Sequence, residues 1–405
     1  MPSTFGWLDA DDEQRRKMID MIGSTIEPGT LDELGIGSIR DSFSNGLFPG
    51  TSTIHTRLKY VLLIPWLLEL ASRKPTAREM AAEFTRLEYR LIPSLIAGGE
   101  DEGVIGRDAR ESLKRLPSVV YWGALGAWGI RDADLSRDMY FRRTADLRSL
   151  TKRRAAADDP ESRELLPSAG LDQGLPSAPA NLLSGATFEL SSELEEYLSA
   201  RIASATEGSL LSWLVLNAPA NLAPLGDGED VPYIWNIAGI EALPADLARQ
   251  VDHARRFSEA IYGAPLVYNL LLARKSGQEE LAAGYELALA EWESNIRVDG
   301  TMLGWDRDDF WNTVLNFNPR LRDATKLFVD GWLDLVATGK QLADSEPAAI
   351  LIRAREIRIK GPRARFASQA ALDKWSGSAG VYRLDYRWGI ARSHLEDLYV
   401  AREAR

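Results

Sequence analysis

The sequence predicts a mainly α-helical protein with one small basic β-hairpin near the C-terminus. Three observations predict it. Apolar residues recur at helical spacing along most of the chain, as in Thr76–Leu91, where Met80, Phe84, Leu87 and Leu91 form one stripe. Alternation with a period of two is confined to Arg355–Lys360, where Ile357 and Ile359 sit between Glu356, Arg358 and Lys360. The 405 residues are 45% apolar and 26% charged, the balance of a globular chain that buries a large core.

The elements follow in order. Asp11–Gly23 places Met18, Ile19 and Ile22 behind an acidic first turn, with Gly23 as the stop. Ile54–Ser72 is a dense apolar helix, expected to bend at Pro65 because proline removes one backbone hydrogen bond. Further helices are expected at Arg107–Leu116, Arg137–Arg154, Glu193–Ala203, Ala245–Tyr262, Gln278–Ile296, Pro319–Ala337 and Ala391–Arg402. Asp158–Gly185 holds Pro160, Pro167, Pro176 and Pro179 without an apolar period and reads as a linker or long loop. Asn217–Pro232 reads as a second loop. After Lys360, Gly361-Pro362 marks the turn of the expected hairpin, and Arg363-Ala364-Arg365-Phe366 is its second arm. The expected organisation is therefore an N-terminal helical domain (1–157), a linker (158–185) and a C-terminal helical domain with the hairpin (186–405).

Composition excludes several chemistries. There is no cysteine, so disulfides, thiolate metal sites and cysteine nucleophiles are absent. His55, His253 and His394 are too scattered for an HExxH-type metal motif. No P-loop and no GxSxG nucleophile elbow occur. The N-terminus lacks the basic and apolar regions of a signal peptide, and the apolar run Val61–Leu68 is too short to span a membrane. A cytoplasmic protein with no membrane partner is the expectation. What remains for a catalyst is carboxylate or lysine chemistry.

Four features could carry function. In Leu34-Gly35-Ile36-Gly37-Ser38, glycines open a helix as they do where backbone N–H groups approach a phosphate; a tight turn between packed helices has the same pattern. The stretch His55-Thr56-Arg57-Leu58-Lys59-Tyr60 puts polar residues at the start of an apolar helix, so that this end opens either to a cleft or to solvent. Tyr121, Trp122 and Trp128 lie among small residues, either as stacking platforms for a base or sugar or as core. Finally, the formal net charge of −11 hides two basic segments. Arg137–Arg154 carries seven basic against two acidic residues, and Arg353–Arg365 six against one, each a local +5. Such segments either grip phosphates or are solvated faces.

The stretches Asp32–Asp41, Leu47–Ile54, Gly103–Arg107, Leu116–Trp122, Gly361–Arg365 and Leu384–Trp388 resemble an uncharacterised bacterial family of anti-phage defence islands. That family includes a DNA glycosylase that excises α-glucosyl-hydroxymethylcytosine from phage DNA. The resemblance touches both ends of the chain and not the middle. It implies a multi-helix, helix-hairpin-helix-type glycosylase architecture acting on double-stranded DNA with glucosylated bases, with no cofactor and no metal. Base excision needs a flipped nucleotide, a pocket, phosphate grips and a carboxylate. On the resemblance, Asp41 is the first choice of catalytic carboxylate and Asp132 the second, with Lys59 as the alternative, an imine-forming amine. Tyr60, Tyr121 and Trp122 would form the base and sugar pocket. Gly35, Gly37, Ser38, Arg57, Arg363 and Arg365 would hold phosphates. One departure is plain: where such enzymes carry an aspartate beyond the hairpin, this chain has the apolar Ile54–Ser72 segment, which contains none. The same surface without a pocket would suit a non-catalytic DNA-binding subunit.

Overall fold

The structure, a computed structural model, describes residues 32–109, 113–156, 169–218 and 231–404. Almost all regular structure among these residues is helical; β pairing is limited to an isolated bridge between Arg131 and Leu171. The described residues form two compact units, each assembled from two stretches of chain: residues 32–43 with 249–386, and residues 44–248 with 387–404. Among the described residues, none of the helices is long and apolar enough to cross a membrane.

The first unit is centred on Gly263–Lys275. Every residue of this helix from Gly263 to Ala273 is buried, including the polar Asn269. It packs against Glu279–Val298 and Glu346–Lys360, and the latter also packs against Asp323–Ala337. Asn269 is tolerated because its amide is fully used. It donates to the carbonyls of Pro265 and Ala379 and accepts from Trp375 Nε1 and the Ala379 N–H. A helix buried all round has no apolar stripe to betray it, so periodicity does not mark Gly263–Lys275.

The second unit is centred on Tyr60–Ala71, whose Val61, Leu62, Leu63, Ile64, Trp66, Leu67 and Leu68 are all fully buried. Ala77–Ala97 and Pro117–Ala127 pack on it, Arg137–Ala156 packs on Ala77–Ala97, and Ser192–Ala205, Leu210–Asn217 and Trp388–Glu403 pack together. Ala77–Ala97 starts where a capping box dictates: the Thr76 hydroxyl accepts the Glu79 N–H while the Glu79 carboxylate accepts the Thr76 N–H.

Several expectations are corrected. Arg355–Lys360 is not a strand. It is the last part of the helix Glu346–Lys360, followed by a single 3₁₀ turn over Gly361–Arg363, so the basic β-hairpin is absent. Ser345 caps this helix by accepting the Ala348 N–H, and Pro347 lies in its first turn. The helical register buries Ala348, Ala349, Ile352, Arg355 and Glu356, and leaves Ile357 and Ile359, the residues that produced the alternation, 43% and 41% exposed. The helix expected at Arg107–Leu116 is not formed in its described residues. Pro319–Ala337 begins as a helix only at Asp323, and Arg307–Phe317 forms a separate helix before it. The expected helix Asp11–Gly23, residues 158–168 of the first expected loop and residues 219–230 of the second lie outside the described residues. Where the first loop is described, Leu182 is buried.

Candidate functional site

In the first unit, the glycine turn and the end of the basic helix come together across some 320 positions of sequence. Gly35 has φ +66°, the left-handed conformation that glycine adopts without strain. The Arg355 guanidinium donates to the carbonyls of Leu34 (2.8 Å) and Gly35 (3.1 Å), and to that of Ala324 (2.8 Å). A Cβ on Gly35 would lie 2.6 Å from Arg355 Nη2, so the glycine is required by this close approach as well as by its φ. The N–H groups of Ile36 and Gly37 both point at one carboxylate, that of Asp32, at 2.8 and 2.6 Å. The anion held by this turn is thus a side chain of the protein itself. Ser38, one residue on, uses its carbonyl to accept the Ser42 hydroxyl.

Beside the turn lies a buried network of four charges and one phenol. Lys360 pairs with Glu33 and, at 3.3 Å, with Glu356; Arg365 pairs with Glu33 at 3.0 Å. The Tyr268 hydroxyl donates to Glu356 at 2.7 Å and accepts from Arg365 at 2.9 Å. Burial, together with the Glu356 carboxylate, holds the Tyr268 phenol well above its ordinary value. Glu356 also accepts the backbone N–H groups of Arg365 (2.9 Å) and Phe366 (3.1 Å). Two carboxylates thus balance two cations, and every charge has hydrogen bonds, the condition for carrying charge inside a protein. Of these residues, only Arg365 was singled out from sequence. Glu33, Tyr268, Glu356 and Lys360 were missed because charge runs do not say which members point inward. Arg363, one turn from the network, is exposed.

Asp41 follows on the helix Gly37–Leu47. Its side chain is 46% exposed and pairs with its neighbour Arg40 at 3.0 Å.

In the second unit, Tyr60 and Tyr121, two of the three expected pocket residues, lie in a buried column of rings. The Tyr121 ring lies 4.1 Å from His55 and 5.2 Å from Tyr60; His394 is 5.5 Å from His55, and Trp128 meets His394 edge-on at 5.9 Å. The Tyr121 hydroxyl accepts the Thr56 N–H and donates to the Arg57 carbonyl, and the Tyr60 hydroxyl accepts the Ile105 N–H. These phenols close off the segment before Tyr60–Ala71 and present no open face. Burial pushes the Tyr121 phenol up to about 12 and holds the imidazoles neutral, His55 at about 4 and His394 at about 3. His55 Nδ1 and both nitrogens of His394 are buried without a hydrogen-bond partner.

The cations of this segment are equally occupied. Arg57 forms a forked pair with Asp397 (2.6 and 3.0 Å), and the same carboxylate accepts the Leu58 N–H. Lys59 is buried, donates to the Glu189 carbonyl, and has its ammonium pKa lowered by desolvation. Trp122 is half-buried, with Nε1 on the Leu135 carbonyl and the Arg131 guanidinium 4.8 Å above its ring. Asp132 is exposed and pairs with Arg143 at 3.0 Å. Asp41 and Asp132 therefore fall in different units, as do the two groups of expected phosphate contacts: Gly35, Gly37, Ser38, Arg363 and Arg365 in the first, Arg57 in the second.

Among the described residues, no group of three or more His, Asp or Glu side chains is arranged to hold a metal ion. Comparison with curated proteins and with solved structures finds no match. A family model described as a family of unknown function, DUF6361, matches residues 2–402, nearly the whole sequence. The chain belongs to that family.

Proposed function

We propose that this protein is a DNA glycosylase that excises a glucosylated hydroxymethylcytosine from phage DNA and leaves an abasic site. The observation that carries the reading is the union of two stretches on which the resemblance rests. Asp32–Asp41 and Gly361–Arg365 are tied to one another by the Glu33–Arg365 pair, and Arg355 ties the first of them to the helix that precedes the second. A solvent-reachable carboxylate, Asp41, and the exposed cations Arg358 and Arg363 belong to these stretches or border them. In this reading, Asp41 supports the oxocarbenium-like sugar as the bond between C1′ and the base breaks, and water completes the transfer to C1′. Lys59 as an imine-forming amine is the less favoured route, because its ammonium is engaged with the Glu189 carbonyl.

Glucosylated phage DNA, incubated with the protein and then with alkali, is expected to break at abasic sites, with the modified base detected by mass spectrometry. Intact strands and no released base reject the reading. Asp41→Asn should lower base release at least ~100-fold, the scale of losing a positioned acid–base group, while leaving DNA affinity intact. If Asp41→Asn retains activity, the test passes to Asp132→Asn and Lys59→Met.

A second reading is favoured by the closed packing of Tyr60 and Tyr121: a DNA-binding subunit without a base pocket. Salt-dependent binding to unmodified duplex without any released base distinguishes it.

A further inference from the structure

The first unit contains a cavity of about 580 Å³, within the size range of small-ligand sites. One side is apolar: Leu271, Ala349, Ile357 and Phe366. The aromatic ring there is firmly held. The Phe366 N–H donates to Glu356, its carbonyl accepts Lys275 Nζ at 2.6 Å, and Tyr268 meets the ring edge-on at 5.6 Å. Over this ring stands Arg353, whose guanidinium is 6.0 Å from the Phe366 ring centroid and which makes no ion pair with any described residue. Lys275 lines the same cavity; it spends hydrogen bonds on the Arg365 and Phe366 carbonyls, and its ammonium can donate three. The third cation, Arg274, is already committed to Glu286 and Asp344. The exposed carboxylates Asp344 and Glu346 complete the lining.

We propose that this cavity binds a free ribonucleoside monophosphate, the base stacking on Phe366, the phosphate on Arg353 and Lys275, and the sugar hydroxyls donating to Glu346. A flat apolar ring held rigid, beside a cation lacking a carboxylate partner, suits a ligand that is aromatic at one end and anionic at the other. The two rim carboxylates select against a continuous strand, whose flanking phosphates would lie against them, and favour a ligand with one phosphate and free hydroxyls. The site is independent of the glycosylase reading and requires no cleavage.

The test is calorimetric titration of the full chain with AMP and CMP, with adenosine, inorganic phosphate and a short DNA duplex as controls. At least one of the two nucleotides should bind more tightly than adenosine or phosphate. Arg353→Ala and Phe366→Leu should each weaken that binding about tenfold or more, the scale of one lost charged or aromatic contact. Arg353 is exposed, so its variant should keep the wild-type melting temperature, and it decides alone if Phe366→Leu does not fold. The proposal is overturned if neither nucleotide binds, or if Arg353→Ala binds both as the wild type does. It is also overturned if only duplex affinity falls in the variants, which would assign the cavity to a DNA interface. Absence of base release in the glycosylase assay leaves it standing.

Discussion

The carboxylate of Asp32 accepts the backbone N–H of Gly37 at 2.6 Å, and with its other oxygen that of Ile36 at 2.8 Å. This small anion nest opens the helix Gly37–Leu47, and the protein fills it with its own side chain. Asp32→Ala should therefore destabilise the protein by roughly 1–3 kcal/mol, the cost of leaving hydrogen-bonding groups without a charged partner. Gly35→Ala should cost more than Asp32→Ala, because the added Cβ meets both an unfavourable φ and Arg355. Urea unfolding midpoints check both. An unchanged midpoint for Gly35→Ala would contradict the close approach.

Arg57 and Arg363 were both expected to hold phosphates, and their surroundings separate them. Arg57 is neutralised by Asp397, so Arg57→Ala should lower the melting temperature and leave DNA affinity nearly unchanged. Arg363 is exposed, so Arg363→Ala should leave stability unchanged and, if DNA passes there, reduce the slope of log affinity against log salt by about one. Binding titrations over a salt series decide between these outcomes.

Burial of Glu356 makes it the member of the first unit's network least tolerant of removal. Glu356→Ala strips a partner from Lys360, Tyr268 and the N–H groups of Arg365 and Phe366. The expected loss is about 3–5 kcal/mol, as for other buried charge networks broken on one side. Glu356→Gln should lose less, because its amide oxygen can keep one of the two backbone bonds, which the carboxylate accepts on different oxygens. Equal losses in the two variants would show that charge alone matters there.

The second unit should respond to acid. His55 and His394 are neutral when folded, with values of about 4 and about 3, against an ordinary histidine of about 6.5. Between those limits the unfolded chain binds more protons than the folded one, so stability falls as pH drops below 6.5. For His55 alone the loss by pH 4 is of order 3 kcal/mol. His394→Leu should flatten the decline of melting temperature from pH 6.5 to pH 4; a slope identical to wild type would contradict the burial of its imidazole.

Glu88 should act with the opposite sign. Its carboxyl is buried, accepts the Ser118 N–H with one oxygen, has no partner for the other, and is pushed up to about 7 by desolvation. A raised carboxyl stabilises the fold in its protonated form, and that contribution is lost as pH rises towards and through 7. Glu88→Gln should therefore melt higher than wild type at pH 8 and not at pH 5. A variant less stable at both would show that the ionised form is the one the fold prefers.

Local rules explain much of the secondary structure. The stripe Met80-Phe84-Leu87-Leu91, with Thr76 and Glu79 as its capping box, contains what is needed to start and orient Ala77–Ala97. Gly263–Lys275 was invisible for the converse reason, that it is buried on every side. The aromatic and glycine-rich segment Leu116–Asp132 was legible as important to packing, but nothing local says whether Tyr121 faces a ligand or His55.

What the sequence by itself determined is the mainly helical class and the absence of thiol chemistry. Those follow from composition and from interactions spanning three or four residues. What only the tertiary structure decided is which charges face inward and what they meet. Arg355–Lys360 reads as a strand in isolation because Ile357 and Ile359 alternate with charges. It is a helix because that register turns Arg355 towards Leu34 and Gly35, and Glu356 towards Tyr268, while the isoleucines stay half-exposed. Leu34, Gly35 and Tyr268, each more than 80 residues away, are among the hydrogen-bond partners of those two buried charges, and no window of local sequence contains them.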